Sequence, residues 1–136
     1  MKIILDTNVL VSGLLSPFGS PGKIMRMVTI GDLELCYDAR ILCEYRDVLL
    51  RPKFHFDQTH VDYLLDQIKA CGHEVMGEPL AERLVDQDDE PFLEIALAGK
   101  ARCVVTGNLK HYPAKKRQGV LVVSPTEFLE IYHKNK

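Results

Sequence analysis

Short apolar runs and longer amphipathic stripes alternate along this chain. Lys2-Ile3-Ile4-Leu5 is rich in β-branched residues and stops at the polar triplet Asp6-Thr7-Asn8, which predicts a buried strand followed by a loop. Val9 to Leu15 starts a helix that Ser16-Pro17-Phe18-Gly19-Ser20-Pro21-Gly22 should break. Ile24, Met27, Val28 and Ile30 then fall at helical spacing, and Gly31 closes that stripe. Leu33 to Tyr37 alternates like a strand. Ile41, Tyr45, Val48 and Leu49 share one face of a helix from about Ala39 to Leu50, ended by Arg51-Pro52. Val61, Leu64, Leu65 and Ile68 mark another helix over residues 57–70, before Gly72. His73 to Met76 predicts a short strand, and Phe92, Leu93, Ile95, Ala96 and Leu97 a further apolar helix. Cys103-Val104-Val105-Thr106 and Val120-Leu121-Val122-Val123 read as two more buried strands. Ser124-Pro125-Thr126-Glu127 opens a last helix, to about Tyr132, as a capping box with proline at its first position.

Continuous apolar strands alternating with amphipathic helices predict an α/β fold. Its architecture is three layers, α/β/α, around a central parallel sheet. At 136 residues the chain makes one domain, 1–136, able to bury a core without disulfide or metal. An apolar fraction of 46% against 26% charged residues excludes a disordered chain. No run nears the roughly 20 apolar residues of a membrane helix, so no membrane partner is expected. Met1 to Leu15 has the superficial look of a signal peptide. Asp6 and Asn8 interrupt it, however, and it reads as a core element. Cys36, Cys43, Cys71 and Cys103 match no zinc spacing, which points to reduced thiols and a cytoplasmic protein. A net charge of −2 excludes a bulk electrostatic grip on nucleic acid but leaves room for a local basic patch.

In parallel α/β sheets the working groups gather at the carboxyl ends of strands. That rule singles out Asp6-Thr7-Asn8 and Thr106-Gly107-Asn108. A carboxylate at the lip of a buried strand is costly unless paired or bound to a metal, although Asp6, Thr7 or Asn8 would also serve as a helix N-cap. Glu44 lies between Ile41 and Val48 inside an apolar stripe, either as a functional acid or paired with a buried arginine. Asp86-Gln87-Asp88-Asp89-Glu90 precedes Pro91 and Phe92. The helix dipole explains one or two of these acids but not four in five positions. Asp88 and Asp89 are both expected to face the apolar side that begins with Phe92 and Leu93.

Three acidic sites at the ends of three elements suggest a hard-cation site for Mg²⁺, able to activate water against a phosphodiester. Lys100 to Arg117 carries six bases, Lys100, Arg102, Lys110, Lys115, Lys116 and Arg117, and no acid. It reads either as a rim that binds RNA phosphates or as a solvated loop. Tyr112 among them would either stack on an unpaired base or join the core.

With these motifs the chain resembles the PIN-domain family, and within it the toxin components of bacterial and archaeal toxin–antitoxin systems, the VapC-like ribonucleases. Asp6-Thr7-Asn8-Val9 looks like the family's first motif, Glu44 its second, Asp88-Asp89-Glu90-Pro91-Phe92-Leu93 with Ala96 its third, and Val105-Thr106-Gly107-Asn108 its fourth. The resemblance spans essentially the whole chain. It implies about five parallel strands, Mg²⁺- or Mn²⁺-dependent RNA cleavage, homodimers and inhibition by a small antitoxin protein. Carried onto this sequence, Asp6, Glu44 and Asp89 would be the catalytic, metal-binding core. Asn8 would orient Asp6, and Thr106 would add a hydroxyl. Many relatives have a fourth acid where this chain has Asn108, which weakens any second metal unless Asp88 or Asp86 compensates. A metal-dependent endoribonuclease is therefore the leading expectation. An inactive PIN-like module that binds RNA or a partner protein is the alternative. An aspartyl phosphatase is disfavoured because Asn8 stands where such a fold needs a second aspartate.

Overall fold

A β-branched strand with both faces buried needs a neighbour on each edge. In the computed structural model, which describes residues 1–84 and 86–134, β1 (Lys2–Leu5) has two. It pairs in parallel with β2 (Glu34–Tyr37) on one side and with β4 (Cys103–Val105) on the other. β3 (His73–Glu74) adds beyond β2, and β5 (Val122–Val123) adds beyond β4. The parallel order is β3-β2-β1-β4-β5.

Among the described residues six α-helices accompany the sheet. They are α1 (Thr7–Leu15), α2 (Ser20–Thr29), α3 (Ala39–Leu49), α4 (Gln58–Cys71), α5 (Glu90–Ala98) and α6 (Pro125–Lys134). The anticipated α/β/α architecture with five parallel strands is the one the chain adopts. Helix α5 lies against β1, β2 and β4, and its Phe92, Leu93 and Ile95 join the buried core with the strand residues.

Four local expectations shift. Thr7 and Asn8 are not loop; they form the first turn of α1, and only Asp6 stays extended as its N-cap. The segment 16–22 breaks the chain less than its composition suggests, because α2 already begins at Ser20 with Pro21 in its first turn, where a missing N–H does no harm. Gly22 is required there, since a Cβ would sit 2.1 Å from the Pro17 carbonyl oxygen. The strand expected over 73–76 pairs only at His73–Glu74, and that expected over 120–123 only at Val122–Val123. The capping box forms as read. The Glu127 N–H donates to Ser124 Oγ (3.1 Å), and the Ser124 N–H donates to Glu127 Oε1 (2.9 Å). Ser124→Ala is expected to lower stability by about 1 kcal/mol, measurable by urea denaturation at unchanged m-value.

The chain runs outward from β1 through β2 to β3 and then returns to β4 on the far side of β1. The order therefore reverses between β1 and β4, and a crevice opens beyond their carboxyl ends. Leu5 pairs with Val105 in register, so Asp6 and Thr106 are the next residues on adjacent strands.

Candidate functional site

Asp6 projects from the end of β1 and is only 5% exposed. Its Oδ2 accepts from Thr106 Oγ1 at 2.9 Å and from the Tyr112 hydroxyl at 3.3 Å, with Asn8 Nδ2 at 3.5 Å. Burial still outweighs these donors and raises its pKa. Asn8 also ties the two strand ends together, its Oδ1 accepting the Gly107 N–H at 2.9 Å. Thr106 takes part twice, because its Oγ1 also accepts the Asn108 N–H at 3.0 Å.

Helix α3 brings Glu44 to the same crevice. Asp38 caps that helix, accepting the Ile41 N–H at 2.9 Å. Glu44 is half-buried and meets no arginine; its Oε2 accepts from the Thr7 hydroxyl. Burial is the main cause of its raised pKa, and the Asp6 charge adds to it. One residue on, fully buried Tyr45 donates to the Leu5 carbonyl at 2.5 Å, fixing α3 to the strand that carries Asp6.

The acidic run 86–90 sorts into different tasks. Asp86 caps a 3-10 turn over Gln87–Asp89 by accepting the Asp88 N–H at 2.9 Å. Glu90 takes a two-pronged contact from Arg83 at 2.8 and 2.9 Å and accepts the Leu84 N–H. Asp88 does not turn inward as expected. In the 3-10 turn Asp88 is exposed while Asp89 is buried. Both Asp86 and Asp88 still act on the site through their charge, Asp88 raising the Glu44 pKa and Asp86 that of Asp89. Asp89 is 7% exposed, and its Oδ2 has no hydrogen-bond partner. His111 Nδ1 lies 3.2 Å from that oxygen but off the line of a hydrogen bond. Burial first, and the Asp6 charge second, push the Asp89 pKa up to about 6.

Asp6, Glu44 and Asp89 line one open cleft of about 390 Å³, with His111, Arg51 and Phe54 on its walls. His111 carried no expected role. A 3-10 turn over Leu109–His111 swings it back, and its Nε2 lies 2.8 Å from Asn108 Nδ2. Thr7 belongs to the Asp6 motif, whereas Arg51 and Phe54 carried no expected role; their signal lay in following the Glu44 helix. Lys110, Lys115, Lys116 and Arg117 are not among the residues that line the cleft, and Arg117 Nε is engaged by the Tyr112 carbonyl at 2.8 Å. Tyr112 is core: its ring is fully buried, and only its hydroxyl reaches the site.

Three carboxylates on one cleft, one with a buried oxygen that accepts no hydrogen bond, form a donor set suited to a hard cation. Among the described residues no three His, Cys, Asp or Glu side chains stand at the spacing of a common ion as placed. An ion shared by all three would have to draw them together, taking Glu44 from Thr7.

Residues 2–110 match the family described as PIN domain. Over 145 aligned positions the chain is 28% identical to an uncharacterized protein, MJ1680, of Methanocaldococcus jannaschii, covering 98% of this chain and 93% of that one. Its fold is similar to VapBC-1 from nontypeable Haemophilus influenzae, with a TM-score of 0.62 at 11% identity over 93% of this chain and 99% of that one. It is also similar to VapBC2 from Rickettsia felis, whose structure is bound to a DNA fragment from their promoter. There the TM-score is 0.59 at 14% identity, over 90% of this chain and 97% of that one.

Proposed function

The chain belongs to the PIN-domain family, and from that premise we propose that it is a metal-dependent endoribonuclease, the toxin of a toxin–antitoxin pair. The observation that carries this reading is Asp89, buried with an oxygen that accepts no hydrogen bond and has His111 Nδ1 beside it at 3.2 Å, on the same cleft as Asp6 and Glu44. Asp6, Glu44 and Asp89 would hold Mg²⁺ or Mn²⁺. When bound, the ion supplies positive charge beside a phosphodiester and makes water more acidic. Thr106, Tyr112 and Asn8 orient Asp6, and Thr7 holds Glu44 in reserve. Hydrolysis would leave a 5′-phosphate and a 3′-hydroxyl. With Asn108 neutral, the donor set favours one ion over two.

The VapBC structures that share this fold support a small antitoxin as partner, and a homodimer is proposed with it. No described helix is long and apolar enough to cross a membrane, and the proposed location is cytoplasmic.

A non-cleaving PIN module that binds RNA or a partner protein is the second reading. Asn108 and the open spacing of the three carboxylates favour it. Incubating RNA with the protein in Mg²⁺, in Mn²⁺ and in EDTA separates the two. Cutting that EDTA abolishes supports the nuclease; intact RNA with either ion supports the module.

Ion affinity should depend on pH in a definite sense. The ion requires Asp89 ionised, and the fold raises its pKa from 3.8 to about 6. Mn²⁺ affinity measured by calorimetry should therefore hold above about pH 7 and fall as pH drops through about 6. Its limiting slope should approach about tenfold per unit for one competing proton.

A further inference from the structure

The basic residues that the sequence offers for RNA binding stand away from the cleft, and different ones stand on it. Its wall beyond Glu44 and Val48 is a short 3-10 turn, Pro52–Phe54, directly after α3. Arg51 and Phe54 from this turn line the cleft beside the carboxylates. Three residues apart, they share one side of a structure that repeats about every three residues.

The turn is held in place before any ligand arrives. Pro52 fixes its start, the Phe54 N–H donates to the Arg51 carbonyl at 3.1 Å, and the His55 N–H donates to that of Pro52 at 3.2 Å. His55 closes it in the left-handed region, φ 57°. The Phe54 ring is backed by Phe56, with centroids 5.6 Å apart and planes 15° from parallel, and the Lys53 ammonium stands 5.0 Å from its centroid.

Arg51 is half-exposed, and the ion pair recorded for it, to Asp47, is long at 3.8 Å with Asp47 itself 79% exposed. Such a pair is worth little, so the guanidinium is open to a better partner. It is near enough to the site to lower the Glu44 pKa. A guanidinium fork suits a phosphate, and a preformed aromatic edge beside it suits an unstacked base. A duplex offers the phosphate but keeps its base faces stacked.

Resting on the nuclease reading above, we infer that Arg51 and Phe54 form the strand-binding wall of this cleft. Arg51 grips a backbone phosphate of the RNA strand, and Phe54 packs on the adjoining base. The Lys110–Arg117 segment contributes general attraction only.

The test is fluorescence anisotropy with a labelled single-stranded RNA and the same RNA in duplex, at several salt concentrations. It uses the full chain carrying Asp6→Asn, with Mg²⁺ present. Arg51→Ala should weaken single-strand binding about tenfold and reduce the salt slope by about one. Arg51→Lys should recover it only in part. Phe54→Ala should weaken single-strand binding about tenfold and leave duplex binding unchanged; Phe54→Tyr should restore it, and Phe54→Leu should not. Lys115→Ala with Lys116→Ala should lower both RNAs equally. Wild-type affinity in either Arg51→Ala or Phe54→Ala overturns the inference, as does rescue by Phe54→Leu. Failure of the two readings is distinguishable. RNA held through Arg51 and Phe54 but never cut by the unsubstituted chain sinks the nuclease alone. Cutting that depends on Asp6 but is indifferent to Arg51 and Phe54 sinks the wall alone.

Discussion

Asp6→Asn should yield a folded protein that melts higher at neutral pH and, on the proposed nuclease function, should abolish RNA cutting. The amide keeps an oxygen where Thr106 and Tyr112 donate, so the hydrogen-bonded frame survives. What disappears is a negative charge that is 95% buried and repels Asp89. Burial raises the Asp6 pKa, so its ionised form opposes folding. That opposition is absent below the unfolded value and grows as pH rises through the folded one. The variant should therefore gain about 1 kcal/mol at pH 7.5, with the gain shrinking toward pH 4. Cleavage should fall at least about 10³-fold, the loss expected if some 4 kcal/mol of transition-state stabilisation goes with the charge. Thermal melts at the two pH values and a cleavage time course supply the readouts. A variant that melts lower at neutral pH, or cuts as well as wild type, contradicts this account.

The second large effect is on stability. Tyr112→Ala should lose about 3–5 kcal/mol, the range for removing a fully buried aromatic ring, while Tyr112→Phe should lose about 1 kcal/mol. A tyrosine that served only to stack on RNA bases would leave the denaturation midpoint where it was and weaken RNA binding instead. Chemical denaturation of both variants decides between these roles. In Tyr112→Phe the Asp6 carboxylate keeps Thr106 as a donor, so the protein should remain competent to bind an ion.

The strands, most of the helices and the end-of-strand acids were legible because each rests on local pattern. β1 is a run of apolar residues, and Asp6 is simply the residue after it. Glu44 was visible as an acid within an apolar stripe. Asp88 is exposed instead of facing the apolar side of α5 because it precedes that helix, in a separate 3-10 turn whose orientation the helical stripe does not set. His111 and Arg51 were invisible as site residues for a different reason. Their roles come from the crossing that sets β4 beside β1 and from turns that fold back toward the cleft, and no residue pattern encodes that. The basic segment 100–117 is as charged as its composition shows; of it, His111 lines the cleft and the Arg117 Nε donates to the Tyr112 carbonyl.

Both outermost strands hold just two residues. A sheet margin so short gives an incoming chain almost no main-chain ladder to extend, which guards against runaway edge-to-edge stacking. It also constrains how any protein companion attaches. Recognition is expected to go through side chains on the helical faces rather than through a donated strand.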